Sequence, residues 1–372
     1  MRVVSVSARN FRSYEAAAAP LGGGLTIVWG SNGAGKTNLL EAVYFGCTGR
    51  SCRTTNDREL LRFGGEAGRV VVRCEDDFGA HELGVGFSPG EAKRMSVDGA
   101  SVERLLDSPH RPLVSVFLPD RLELIKGVPA LRRAHLDQFV TALWPSRLAN
   151  RRAYAQALAQ RNALIGRVRS GAGSRSSLAA WDVRLAQAGM QVMADRREAV
   201  SLIEPAFEDV AERLGLDGEP TIAYRPRSRA TSVAELAEEL SERLEGDVER
   251  GFTEHGPHRD DIVISRCGRS LRTYGSQGQQ RLGILSLLLA ERSVLAAHRP
   301  SVPLMLLDDV MSELDHDRRA ALVGLLTEGG GQALITTTDL DHVPGAFSSG
   351  VARLAVAGGA VVEDVGAGSV AR

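Results

Sequence analysis

The chain has 372 residues, more than the size at which a single hydrophobic core usually stops growing, so two domains are expected. Hydrophobic residues make up 43% and the net charge is -1, which fits a soluble globular protein and argues against a uniformly basic nucleic-acid binder. The longest apolar run, residues 282–290, falls well short of the roughly 18 residues of a membrane span. The alternating start MRVVSVSARNF also lacks the apolar core of a secretory leader, so a cytoplasmic protein with no membrane partner is expected. The cysteines, at 47, 52, 74 and 267, show neither CxxC spacing nor a neighbouring His pair, which speaks against zinc and against a disulfide framework.

In chain order, residues 1–29 read as two short strands about a turn, LTIVW (25–29) being the second, and GSNGAGKTNLLEAVYF then carries a glycine-rich loop into a helix. From 68 to 118 the runs RVVVRCE, HELGVGF, RMSVDG and LVSVFL read as a meander laid against the first core. From 131 to 214 the pattern is helical, broken once by RSGAGSRSS (169–177), and SVAELAEELSERLEGDVERGF adds one more helix. DDIVISRCGRSLRTYG returns to strands, and VPLMLLDD and GQALITTT are compact apolar runs suited to central strands of a parallel sheet. The expected fold is a split α/β head, residues 1–130 and 251–372, interrupted by a helical insertion at 131–250. No internal repeat or sustained heptad run is present.

The charge is uneven. Residues 147–198 hold ten Arg against three acids, and residues 201–250 hold six Arg against thirteen acids. Two readings stand: solvated helical faces that neutralise each other, or a basic surface for phosphates, on which Arg151, Arg152, Arg196 and Arg197 would contribute to DNA contact.

Gly30, Ser31, Asn32, Gly33, Ala34, Gly35, Lys36 and Thr37 form a full G-x-x-x-x-G-K-[ST] match between a predicted strand and helix, the context in which backbone N–H groups wrap phosphates. Lys36 is one of only three lysines, and its compact ammonium suits the β and γ phosphates, while Thr37 offers a hydroxyl to magnesium. Far downstream, LMLLDD ends a buried strand with Asp308 and Asp309. Carboxylates at the tip of an apolar strand are costly unless a cation or water uses them. Asp308 fits the magnesium-side acid, and Asp309 fits a group that orients the attacking water.

GSQGQQR (275–281) opens a nearly unbroken apolar helix with no carboxylate before Glu291. Ser276 suits an N-cap, and Gly278 allows close approach of an anion supplied from elsewhere. This turn resembles the signature motif of ABC-type ATPases, which faces ATP held by a second subunit, and SELD (312–315) resembles the D-loop at the same seam.

With NFRSY (10–14), TGRSCRT (48–54), FLPDRLELIKGVPALRRAHLD (117–137), GPHRDD (256–261) and ITTTD (335–339), these motifs together resemble the RecF family of bacterial DNA replication and repair proteins, SMC-like ABC ATPases. The resemblance implies an ABC-type P-loop ATPase head with a parallel sheet core, an antiparallel meander and a helical second domain. It also implies slow ATP hydrolysis with Mg2+, ATP-dependent homodimerisation, sequence-independent binding of double-stranded or gapped DNA, and cooperation with RecR and RecO in placing RecA at single-strand gaps. Carried over by motif, Asn38 joins the phosphate loop, Lys36, Asp308 and Asp309 serve catalysis, and Ser276, Gly278 and Gln279 contact ATP in trans. Departures are Asp309 where most ABC ATPases carry Glu, Asp120-Arg121 where two acids are expected, Ala134-His135 where an aromatic usually precedes Leu136, and Thr337-Thr338-Asp339 where transporters often have a His. His258 and Arg259 have two readings, a contact with DNA or the dimer seam and a structural ion pair with Asp260 or Asp261.

Competing readings fit less well. A transporter's nucleotide-binding subunit would need a membrane partner and leaves the insertion and the NFRSY start unaccounted for. An SMC motor needs long heptad arms, and a nuclease needs a second acidic metal cluster.

Overall fold

The computed structural model describes residues 1–118 and 122–364. The chain forms two compact units, one of Met1–Arg121, Arg213–Gly215 and Leu295–Arg372, the other of Leu122–Glu212 and Leu216–Val294.

The N-terminal stretch holds three strands rather than two: β1 (Arg2–Phe11), β2 (Tyr14–Pro20) and β3 (Leu25–Trp29). The additional one, YEAAAAP, is rich in a helix-favouring residue, but Ala16 to Ala19 are held extended by pairing with Arg9 to Val6, so the ladder overrides local preference. After α1 (Lys36–Thr48) come β4 (Gly68–Asp76), β5 (Gly79–Phe87), β6 (Arg94–Val97) and β7 (Ala100–Val102), which extend the hairpin into an antiparallel sheet of order β2-β1-β4-β5-β6-β7. LVSVFL, expected as the last run of this meander, leaves it. It forms β8 (Val114–Phe117), whose consecutive Val116 and Phe117 are both buried, as a strand covered on two faces requires.

The second unit begins with α2 (Glu123–Lys126), α3 (Pro129–Leu143), α4 (Leu148–Arg169) and α5 (Leu178–Arg213, its last residue counted with the first unit). Its helical stretch is broken twice, not once. The unforeseen break comes at Trp144, where the following Pro145 disfavours helical backbone, and Trp144 takes φ −129°. Next are β9 (Thr221–Arg225), α6 (Val233–Glu242), α7 (Leu244–Arg250), β10 (Asp261–Arg266), β11 (Arg269–Ser270) and α8 (Leu271–Tyr274). The single helix expected from SVAEL onward is thus two, parted at Arg243. β9 pairs antiparallel with β10, Thr221 opposite Ser265 through Arg225 opposite Asp261. That ladder explains why the unit runs from 122 to 294 rather than from 131 to 250: residues on both sides of position 250 build one sheet. The unit's core gathers Tyr154, Leu185, Met193, Leu236 and Leu240. Beside it the fully buried Arg161 reaches Asp182 at 2.7 Å, Asp247 at 2.6 Å and the Thr253 hydroxyl at 2.7 Å, binding α4, α5 and α7 together.

The helix that GSQGQQR opens, α9 (Gln277–His298), is followed by β12 (Leu304–Leu307), α10 (His316–Thr327), β13 (Ala333–Thr337), β14 (Ala352–Ala357) and β15 (Ala360–Glu363). These strands complete a sheet of order β15-β14-β3-β13-β12-β8, parallel from β14 to β8 with β15 antiparallel at the edge. α1 contributes Leu39, Leu40, Val43 and Phe45 to a core shared with Val70, Val72 and Val85 of the antiparallel sheet and Val28, Leu306 and Leu334 of the parallel one. A helix buried on several sides needs apolar residues nearly all round, which LLEAVYFGC supplies except at Glu41. At Gly46 a Cβ would stand 2.4 Å from a Val72 methyl, so the helix lies against β4 at a distance only glycine permits.

Candidate nucleotide-binding site

Two strands of the parallel sheet carry the site at their C-terminal ends, β3 leading into the loop 30–35 and β12 ending just before Asp308. β13 lies between them. Ligands of open α/β sheets gather at this edge. Gly30, Gly33 and Gly35 take φ of 154°, 79° and 116°. At Gly30 a Cβ would fall 2.3 Å from the Val356 carbonyl oxygen, so no side chain is compatible with this path. Lys36 is buried, and its Nζ donates to the carbonyls of Gly30 (2.9 Å) and Ser31 (3.0 Å), which places the ammonium at the centre of the loop. The first turn of α1 contains no acid, leaving the positive helix end to an external anion.

The NFRSY and TGRSCRT segments hold this loop and helix in place. The Tyr14 hydroxyl donates to the Gly35 carbonyl at 2.8 Å, and Asn38 donates to the Ser13 hydroxyl at 2.9 Å. Glu41, fully buried on α1, accepts two bonds from Arg12 (2.8 and 2.9 Å), one from Ser51 (2.5 Å) and one from Arg53 (3.3 Å). Sequence reasoning singled out these segments without assigning Glu41 a role. Its charge, at a buried helical position, was the signal available.

Asp308 is 7% exposed, and burial pushes its pKa above the ordinary carboxylate value. Its Oδ1 and Oδ2 accept from the Thr37 hydroxyl at 2.8 and 2.9 Å, and Oδ1 also accepts from Thr336 at 2.7 Å. Thr336 in turn accepts from the Asp309 N–H at 2.9 Å. Thr336, missed from sequence, lies beside Asp308 because β13 runs parallel to β12 with Ile335 opposite Leu307. A hydroxyl and a buried carboxylate converging on one point are the hard oxygen donors a magnesium ion takes, so Thr37 and Asp308 fit that ion. Asp309 adopts left-handed φ 43°, ψ 30°, uncommon for a non-glycine residue and typical of strained functional positions. Its carboxylate accepts from Ser312 of the SELD segment at 3.0 Å.

In the second unit, Ser276 and Gln279 cap α9 reciprocally: Gln279 N–H donates to the Ser276 hydroxyl at 3.3 Å, and Ser276 N–H to the Gln279 side chain at 2.9 Å. Gly278 is exposed, and a Cβ there would meet nothing closer than Ser276 Oγ at 4.0 Å. Among the described residues nothing therefore requires glycine at that position.

The four arginines separate. Arg196 is 5% exposed, holds Asp137 with two bonds of 2.8 and 3.0 Å and reaches Asp260, so it is an interior structural group and not a DNA contact. Arg151, Arg152 and Arg197 are exposed, Arg151 lying 3.7 Å from Asp137. Arg197 lines a concavity of about 500 Å³ together with Arg225 and Arg229, which sequence reasoning passed over because they lie in the net-acidic stretch. His258 is a structural residue: Nε2 donates to the Thr253 carbonyl at 2.9 Å, Nδ1 accepts from Tyr154 at 2.7 Å, and burial lowers its pKa to about 4. Arg259 stacks over Phe252 at 5.4 Å. Asp261 pairs with Arg132, not with its neighbours, and Asp260 with Arg196 and Tyr224. His135 reaches Glu291 at 2.9 Å. Asp339 caps the turn at 340–342, and Thr337 donates to its carbonyl at 2.8 Å. Asp120 and Arg121 lie outside the described residues. Among the described residues no helix is long and apolar enough to cross a membrane.

Fold and site together define an SMC-like ABC ATPase head. The sequence model of the AAA domain family matches residues 5–106. An SMC head bound to the C-terminal winged-helix domain of ScpA superposes with a TM-score of 0.59 at 16% identity, covering 98% of this chain and 97% of that one, a likeness of fold alone. A structure of the recombination mediator protein RecF with ATP, of the RecFOR pathway, superposes with a TM-score of 0.83 at 26% identity over 97% of each chain. The DNA replication and repair protein RecF of Myxococcus xanthus (strain DK1622) is 38% identical over 97% of both chains. The chain belongs to the RecF family.

Proposed function

We propose that this chain is an ATP-binding protein of DNA replication and repair, in which ATP joins two heads and the joined heads hold duplex or gapped DNA. The observation that carries this reading is the convergence of Lys36, Thr37 and Asp308 around a glycine-built phosphate loop, on a chain of the RecF family. Lys36 neutralises the β and γ phosphates, and the N–H groups of the loop cradle them. Thr37 and Asp308 would hold magnesium, which would supply positive charge beside the phosphate oxygens. Asp309 orients the attacking water, and its shorter side chain than the usual Glu suits slow turnover, enough to reset a switch. Ser276, Gly278 and Gln279 meet the γ phosphate held by the second copy, and the bare space over Gly278 supports an approach from outside the chain. Exposed Arg151, Arg152 and Arg197 meet DNA phosphates without sequence preference. RecR and RecO are the partners consistent with family membership, with delivery of RecA to single-strand gaps as the outcome and the cytoplasm as the place.

The test is the mass in solution with and without ATP and magnesium for wild type, Lys36→Met and Ser276→Arg. ATP doubles the wild-type mass, Lys36→Met neither binds nor dimerises, and Ser276→Arg binds ATP but stays monomeric. A wild-type mass indifferent to ATP would sink the switch and leave only a nucleotide pocket.

A further inference from the structure

Away from the nucleotide site, the first unit brings together Asp76 at the end of β4, His81 in β5 and His110 in the segment leading to β8. One ligand atom from each lies within 4.8 Å of the other two. The orientation of His81 is a second, independent observation. Its Nδ1 lies 2.8 Å from Asp98 Oδ2, and a carboxylate only accepts, so Nδ1 bears the proton. In the neutral ring Nε2 is then the atom that presents a lone pair, and among the described residues it is buried with no hydrogen-bond partner, 3.6 Å from Asp76 Oδ1; a metal ion that takes this lone pair displaces any proton held there between the two carboxylates. Asp98 is itself fixed, since Oδ1 accepts from the Glu82 N–H at 2.8 Å. A carboxylate that holds the far nitrogen of an imidazole is the usual support behind a metal-bound histidine.

We propose that Asp76, His81 and His110 bind a divalent transition-metal ion, Zn2+ being the best match, with Asp98 orienting His81 from behind. Two imidazoles and one carboxylate favour such an ion over magnesium or calcium, which take oxygen donors. Three protein ligands leave a position for water. Zinc bonds of about 2.0 to 2.2 Å bring tetrahedral ligand atoms to roughly 3.4 Å from one another. The His110 ring, now stacked on His81 with centroids 4.2 Å apart, therefore turns out of the stack when the ion binds. Cys74 is not a ligand: its thiol is directed at the carbonyls of His81 and His110, each at 3.8 Å. The ion clips the β4–β5 turn to the segment that enters β8, and β8 is the parallel neighbour of β12, the strand that ends just before Asp308. The ion thereby ties the antiparallel sheet to the edge of the parallel one, with its fourth position left to water.

The experiment uses the full chain, stripped with a chelator and titrated with Zn2+ in excess Mg2+, which saturates the oxygen donors at Thr37 and Asp308. Wild type takes up one Zn2+ per chain with a dissociation constant of about 1 μM or tighter. His81→Gln and His110→Gln abolish this uptake, while Asp98→Asn, which never touches the ion, weakens it by about 10- to 100-fold. Co2+ in place of Zn2+ gives visible d–d absorption without a thiolate charge-transfer band. Zn2+ raises the melting temperature of wild type and not of His110→Gln, which still binds ATP like wild type. Absence of stoichiometric uptake, or uptake unchanged in His110→Gln, overturns the proposal and leaves the cluster a hydrogen-bonded ion pair.

Discussion

Asp308 shows how the surroundings of a single side chain oppose one another. Burial raises its pKa, while hydroxyls from Thr37 and Thr336 favour the charged form. The Thr336 hydroxyl also fixes the Asp309 backbone, so one side chain sets both acids. Thr336→Val keeps the shape and removes the donor. We expect ATP turnover to fall about 10- to 100-fold, as for other groups that orient a ligand from behind, with ATP affinity changed much less. Single-turnover hydrolysis alongside equilibrium nucleotide binding separates the two, and a variant with wild-type turnover would place the control of Asp309 elsewhere. Lys36, Thr37 and Asp308 were legible in the sequence because phosphate chemistry restricts both residue type and spacing. Thr336 was not, because only strand register makes it a neighbour of Asp308.

At the scale of elements, the candidate site residues stand at helix ends and strand ends. α1 begins at the phosphate loop and α9 at the signature turn, and neither has an acid in its first turn. The Ser276–Gln279 cap satisfies two backbone N–H groups of α9, so the plain N-cap reading of that turn is correct as far as it goes. Gly278 distinguishes a cap from a contact. In open space its replacement by Asp places a carboxylate at the positive helix end, a change that favours the isolated helix by about 0.3 to 1 kcal/mol. Gly278→Asp should therefore keep or raise the melting temperature and keep monomer ATP binding, yet abolish ATP-driven dimerisation by repelling the γ phosphate. Sedimentation with ATP reads the outcome, and a variant that still dimerises would remove Gly278 from the seam. LVSVFL and the unassigned TIAYR take their places from partners distant in sequence, β12 and β10, whereas YEAAAAP is held by its hairpin neighbour β1 against its own helical preference; local propensity shows none of these pairings.

For the whole molecule, net charge near zero conceals local basic surface. Arg196 and Arg197 are adjacent in sequence and opposite in fate, one paired inside with Asp137, the other exposed beside Arg225 and Arg229. Reversing Arg197 and Arg229 to Glu should weaken duplex binding and flatten the dependence of log affinity on log salt by about 0.9 for each DNA phosphate that is no longer neutralised, with ATP affinity unchanged. Arg196→Met should instead lower stability, because Asp137 and Asp260 lose a buried partner. Wild-type salt dependence in the double reversal would move the DNA surface away from this concavity. The sequence by itself determined the class of the protein: the phosphate loop, the acid-tipped strand and the signature turn are local, ordered motifs, and a catalytic phosphate site tolerates few substitutes. Tertiary structure alone decided which arginines are exposed, where the second unit begins and ends, that Thr336 stands behind Asp308, and that Asp76, His81 and His110 meet. Each of these depends on strand register and burial, which bring together or separate side chains in ways that local sequence patterns do not display.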